Sequence, residues 1–231
     1  MGVKERKERE KELRREEIIK TGERLFIEKG FNNTTVDEIA QTCELAKGTL
    51  YLYFGSKEEL LSAIMYKALT ELYELMYSYQ SGISDPVERL RMMGVAHFEF
   101  YEKYPDHFKL LNEIHEPGKF NPDAIDLKHG MVFQKILDIW NLDMGIIRDG
   151  IKTGVFKEST DPLEIAISLW AISTSMIRMH DFKKYMHGTE GNGQPDMPFS
   201  SFDFLNVITI NAKRIIYTIL KNPPADFDLM K

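Results

Sequence analysis

From Leu45 to Lys57 the chain holds no acidic residue, although 29% of the whole is charged. Lys47, Gly48, Thr49, Tyr51 and Tyr53 lie in that stretch, and Lys57 closes it. Such residues suit contact with a polyanion. Lysine brings charge to phosphate oxygens, threonine and tyrosine hydroxyls donate hydrogen bonds to them, and a glycine lets the backbone come close. A solvated face with half-buried tyrosines would explain the residue types but not the missing acids.

Local spacing supplies the elements that must hold these side chains. Thr35 and Glu38 have the separation of a capping box, and Val36, Ile39, Ala40 and Cys43 form a short apolar stripe behind it. A second short helix is expected over roughly 47–54. Two such helices joined by a brief turn have the spacing of a helix-turn-helix. Ile39, Ala40, Leu45, Leu50 and Phe54 point inward, and Lys47, Gly48, Thr49, Tyr51 and Tyr53 point outward. An outward face of that composition suits the major groove of duplex DNA.

Upstream, a stripe from Ile18 through Leu25 and Phe26 predicts a helix that stops at Gly30. Residues 1–17 predict a solvated helical extension with opposite charges at i,i+4, such as Glu5 with Arg9. Its cations either reach a neighbouring groove or pair with their own glutamates. Downstream, Ser56 caps a long helix ending near Gln80, and Asp85-Pro86 opens another that Tyr104-Pro105 closes. Asn121-Pro122 opens a helix to about Gly154, Asp161-Pro162 opens one to about Tyr185, and a last helix covers about 202–220. Residues 187–200, rich in Gly and Pro, predict a mobile loop. No alternating pattern bounded by hairpin dipeptides occurs. The fold class is therefore all-α with about nine helices: a three-helix head over 1–57 and a larger helical domain over 58–231.

The 231 residues, 43% of them apolar, can bury a proper core. One cysteine leaves no disulfide framework and suits a reducing, cytoplasmic setting. The most apolar run, 165–177, is broken by Ser and Thr and is too short to span a membrane, so no membrane partner is expected. The charged N-terminus lacks the apolar core of a secretory leader. Residues 1–57 carry a charge balance of +1 and residues 58–231 one of −7. An acidic body binds polyanions poorly, which confines nucleic-acid contact to the head and argues against a DNA-coating protein.

Catalytic patterns are weak. His115-Glu116 is followed by Pro117 with no second histidine, Asp126 and His129 form half of a di-iron pattern at most, and Gly188, Gly191 and Gly193 do not follow a strand. No metal, cofactor or catalytic group is expected. A helical-bundle enzyme or a ligand carrier remains the alternative. In the larger domain His97 shares a stripe with Met93 and Phe100, and Trp140 and Trp170 lie on other apolar faces. These five are candidates to line a pocket for a small hydrophobic or amphipathic ligand, although plain packing produces the same stripes.

The stretch from Ile18 to Met65 resembles the DNA-binding domain of TetR-family transcriptional regulators. The residues that carry the resemblance are Thr34-Thr35-Val36-Asp37-Glu38-Ile39-Ala40, Lys47-Gly48-Thr49-Leu50-Tyr51-Leu52-Tyr53-Phe54 and Lys57-Glu58-Glu59-Leu60. Asp149 to Phe156, before Asp161-Pro162, is more weakly similar to the segment preceding that family's dimerisation helices. The resemblance implies a homodimeric repressor of a double-stranded DNA operator, with C-terminal helices that bind a small inducer and pair with the second subunit. It implies phosphate contact for Thr35 and Lys57, groove contact for Lys47, Thr49 and Tyr53, and backbone contact for Tyr51. Ile165, Leu169, Ile172, Phe204, Ile208 and Ile215 are the dimerisation candidates on the last two long helices. Two positions depart from the family pattern. Glu44 stands where glycine is usual and is expected to need a left-handed backbone, and Ala46 stands where Ser or Thr usually caps the recognition helix.

Overall fold

The computed structural model describes residues 2–113, 130–187 and 203–224. Among these residues there are nine α-helices and no strand, apart from an isolated antiparallel bridge between Phe156 and Leu220. The helices are α1 (Val3–Lys29), α2 (Val36–Thr42), α3 (Lys47–Tyr51), α4 (Lys57–Gln80), α5 (Pro86–Lys103), α6 (Pro105–Glu113), α7 (Met131–Lys152), α8 (Pro162–His187) and α9 (Phe204–Ile219). They divide into two compact units, one formed by residues 1–71 and 104–137, the other by residues 72–103 and 138–231.

The first unit is built on α1, α2, α3 and the first half of α4. Ile18, Leu25, Phe26, Ile39, Ala40, Leu50, Phe54, Leu60 and Ile64 are buried there. Four of the five inward residues expected in the helix-turn-helix are thus core residues, and the fifth, Leu45, is half-buried. α1 ends at Gly30, whose φ of 84° is a conformation glycine adopts freely. Another glycine of α1, Gly22, lies where a Cβ would meet the Leu60 side chain at 2.7 Å, so α4 is admitted close to α1. The N-terminal arm forms one continuous helix with the apolar part of α1. Its Arg6 pairs with Glu10 at 2.8 Å and its Arg14 with Glu17 at 2.7 Å. Such exposed pairs contribute little each.

α6 was not expected. In sequence Pro105 marks only the end of α5, but proline also suits the first position of a helix, where no N–H is needed. Here it opens a helix that buries His107, Phe108 and Leu110 in the first unit. The helix expected from Asn121 is described only from Met131 onward. The segment holding His115, Asp126 and His129 lies outside the described residues, as do 188–200 of the expected loop.

In the second unit Met76, Leu90, Met93, Ala96, Ile146, Ile147, Phe156, Ile165, Ala166, Ile216 and Ile219 form one core. Arg89 of α5 pairs with Asp149 of α7 at 3.0 Å. The cap-then-proline signals hold: Asp85 Oδ1 accepts the Val87 N–H at 3.0 Å and Asp161 Oδ1 accepts the Leu163 N–H at 2.9 Å.

Candidate nucleic-acid interface

The turn between α2 and α3 decides where the outward side chains point. Leu45 N–H donates to Ala40 O at 2.8 Å and Glu44 N–H to Gln41 O at 3.1 Å, closing α2 through a left-handed residue. That residue is Glu44, with φ of 55°, as its place in a glycine position leads one to expect. A side chain with Cβ is strained there by about 1 kcal/mol. Replacing Glu44 with Gly is expected to raise the unfolding free energy by about that amount, read as a higher urea midpoint.

Thr35 takes the expected cap. Its hydroxyl oxygen accepts the Glu38 N–H at 3.2 Å, while the Glu38 carboxylate turns to Lys29, whose ammonium holds it below the usual carboxylate range. The neighbouring Thr34 is buried and donates to Leu25 O at 3.1 Å, which fixes the loop under the cap. α3 begins at Lys47 without a side-chain cap from Ala46, and it is shorter than expected, ending at Tyr51. The chain continues in hydrogen-bonded turns, with Tyr53 N–H to Leu50 O at 2.9 Å and Phe54 N–H to Leu50 O at 3.1 Å.

Along α3 the exposed positions are Lys47, Gly48 and Tyr51, with Thr49 and Tyr53 half-buried. Lys47 Nζ donates to Asp37 Oδ2 at 2.8 Å, a hydrogen bond and ion pair that raise its pKa. A phosphate reaching Lys47 must therefore compete with Asp37. A Cβ built on Gly48 would meet nothing within 4 Å, so neither packing nor backbone conformation inside the chain calls for glycine at that place. Leu52, 81% exposed beside Tyr51, was not singled out from the sequence. A leucine four-fifths open next to an outward tyrosine is an apolar surface suited to thymine methyl groups. No sequence feature marks it out, since position 52 lies within a stretch whose apolar residues Leu50 and Phe54 are both buried.

Lys57 has a different occupation from the phosphate contact expected of it. Its ammonium donates to Phe31 O at 2.7 Å and Thr34 O at 2.9 Å, and stands 4.2 Å from the centre of the Phe31 ring. It ties the start of α4 to the loop between α1 and α2, and so positions the helix-turn-helix from within.

The ligand candidates separate in the second unit. Met93 and Phe100 are buried. His97 stays partly accessible, and Trp140 and Trp170 meet edge to face with centroids 5.9 Å apart. Of the dimerisation candidates, Ile165, Phe204 and Ile208 are buried within the chain itself, while Leu169, Ile172 and Ile215 are half-buried. The apolar residues exposed on α8 are instead Leu163, Ile167, Met179 and Phe182, and on α9 Ile210.

Among the described residues no helix is long and apolar enough to cross a membrane. Residues 18–64 match the family model for bacterial regulatory proteins of the tetR family. The HTH-type transcriptional regulator YerO of Bacillus subtilis is 37% identical over 100 residues, covering 42% of this chain and 35% of its own length. The HTH-type transcriptional repressor KstR2 of Mycobacterium tuberculosis is 32% identical over 91 residues, covering 39% of this chain and 46% of its own. The chain thus spans less than half the length of these two curated relatives. Over nearly the whole chain the fold is that of the TetR-family regulator PfmR from Thermus thermophilus, with a TM-score of 0.60, 26% identity, and coverage of 86% of this chain and 96% of that one. The helix-turn-helix of residues 18–64 is that of the tetR family of bacterial regulatory proteins, and the chain around it is similar in fold to a TetR-family transcriptional regulator.

Proposed function

We propose that the chain is a sequence-specific DNA-binding repressor, acting as a cytoplasmic homodimer and released from a palindromic operator by a small molecule. The observation that carries the reading is the outward face of α3, where Lys47, Gly48 and Tyr51 stand exposed in an acid-free stretch. In this reading Lys47, Thr49 and Tyr53 work at the groove, Tyr51 at the backbone, and Thr35 at a phosphate beside its cap. Lys57 supports them from behind through its two carbonyl contacts.

The dimer is proposed to use the exposed stripe of α8, with Leu163, Ile167, Met179 and Phe182, together with Ile210 of α9. Two recognition helices must then stand about 34–36 Å apart to enter successive major grooves. The second unit is proposed to sense the ligand, by binding it better in the conformation that does not fit DNA. α4 and α7 contribute to both units, and the chain passes directly from α5 into α6, so three covalent routes are available to carry the change.

The test is a selection of bound fragments from the genome that encodes the chain, followed by a salt titration on the recovered site. A palindromic sequence is expected, with affinity falling by about 10³-fold or more between 50 and 200 mM salt if six or more phosphates are neutralised. Recovery of no preferred sequence, or a flat salt response, overturns the reading.

A further inference from the structure

The part of α1 that precedes Ile18 mixes cations and acids in nearly equal number, yet the helix sorts them. Wound at about 100° per residue, Lys4, Lys7, Lys11, Arg14 and Arg15 fall on one narrow stripe that holds no acid. Glu8 and Glu12 border it on one side, Glu10 and Glu17 on the other. Further along the same stripe stand Ile18, Gly22 and Leu25. Ile18 and Leu25 are buried, and a Cβ on Gly22 would meet Leu60 and Ile64 of α4. The basic stripe is therefore the outward continuation of the face by which α1 packs on the head. The join is Arg15, whose guanidinium carbon stands 5.1 Å from the centre of the Phe54 ring, just past the end of α3.

Internal pairing does not use up this stripe. Arg14 pairs with Glu17 at 2.7 Å, and Arg15 lies 3.9 Å from Glu12. Lys4, Lys7 and Lys11 are exposed, and among the described residues no hydrogen bond or ion pair reaches them. Their nearest neighbours along the stripe, three or four residues away, are one another and the two arginines. Like charges at that spacing weaken a helix, and a polyanion laid along them removes the repulsion. From Lys4 to Arg15 the stripe rises about 16 Å, the axial length of about five base pairs.

We propose that this stripe is a second DNA contact, in which Lys4, Lys7 and Lys11 bind phosphates of the duplex beside the groove that α3 enters. The proposal rests on reading α3 as the helix that faces DNA. Contacts to phosphates add affinity without sequence preference. An anionic lipid surface fits less well, because a helix lying on lipid buries an apolar face and Leu13 is the one apolar residue over 4–17.

The triple variant Lys4→Gln, Lys7→Gln, Lys11→Gln keeps good helix formers on an exposed face, so its thermal melt is expected to match that of the wild type. Fluorescence anisotropy is read from 50 to 200 mM salt on the selected operator and on an unrelated duplex of the same length. Three phosphate contacts contribute about 2.7 to the slope of log affinity against log salt. For each arm engaged, the wild type is thus expected to lose about 40-fold more affinity than the variant across that range. The change is expected on both duplexes alike. The double variant Arg6→Gln, Arg9→Gln removes two cations from other sides of the arm and is expected to lower the slope by less than about 1.

A triple variant with the wild-type slope overturns the proposal, as does a double variant that lowers the slope as much per charge. Equal slopes, with the wild type but not the triple variant sedimenting on phosphatidylserine vesicles, give the stripe to a lipid surface instead. Steep binding of every duplex without a preferred sequence, lost in the triple variant, keeps the arm contact and ends the operator reading. A preferred operator that both chains bind with one slope does the reverse.

Discussion

Replacing His107 with Leu is expected to lower the unfolding free energy by about 3–5 kcal/mol, the penalty of leaving buried charge without its partner. His107 of α6 is buried, with Glu71 of α4 2.6 Å from Nδ1 and Glu23 of α1 against Nε2. Lys67 of α4 reaches Glu23 at 3.5 Å, and the Tyr104 ring stacks on the imidazole at 5.7 Å. Burial opposes the charged ring, but Glu23 and then Glu71 outweigh it and hold the imidazole above its ordinary value of 6.5. Burial likewise opposes the Glu23 carboxylate, and His107 and Lys67 outweigh it, holding it below its ordinary 4.5.

The signs fix a pH window. A raised histidine contributes stability fully below 6.5 and loses it as pH rises through the folded-state value. A lowered glutamate contributes above 4.5 and loses it as pH falls through its own folded-state value. The trio therefore supports the first unit best between those limits and weakens toward alkaline pH. Urea midpoints measured from pH 5 to pH 9 check this: the wild type declines across the range, and the His107→Leu chain starts low and loses the histidine part of the slope. Adding Glu23→Gln and Glu71→Gln to His107→Leu is expected to recover most of the loss, since it removes the two carboxylates left facing the missing imidazolium and leaves only the partly exposed Lys67. A His107→Leu chain within about 1 kcal/mol of wild type, with an unchanged slope, contradicts the assignment.

Residues that interact with near neighbours in the chain were legible, and those whose partners lie far along it were not. The Thr35 cap and the stop at Gly30 each depend on a few adjoining residues and are readable, whereas the left-handed Glu44 follows only from the resemblance, which puts glycine at that place. Lys57 was not, because the carbonyls it binds belong to residues 23 and 26 positions upstream. The trio around His107 joins three helices and leaves no local pattern. The outward side of α8 failed for another reason. Apolar residues are spread round the whole helix, so periodicity does not separate the side packed on the chain's own core from the open one. Ile165 and its outward neighbours Leu163 and Ile167 look alike in sequence and differ only in burial.

Gly48→Leu is expected to separate folding from DNA binding in opposite directions. Nothing inside the chain occupies the space beyond Gly48, and the position lies on the exposed face of α3. Leucine is a far better helix former than glycine, so the head gains about 0.5–1 kcal/mol and melts slightly later. If α3 enters the groove as proposed, the same side chain projects where a sugar-phosphate backbone or base edge comes close for Lys47 and Tyr51 to reach it. Holding the duplex off by the thickness of a side chain breaks several hydrogen bonds at once. Loss of two or more contacts worth about 1–3 kcal/mol each amounts to a fall of about 10²-fold or more in operator affinity. Non-specific binding, which depends on charge and longer range, falls much less. Fluorescence anisotropy on the selected operator and on an unrelated duplex, beside a thermal melt, reads all three quantities. A Gly48→Leu chain that melts later yet binds its operator as tightly as wild type places the DNA on some other face of the head.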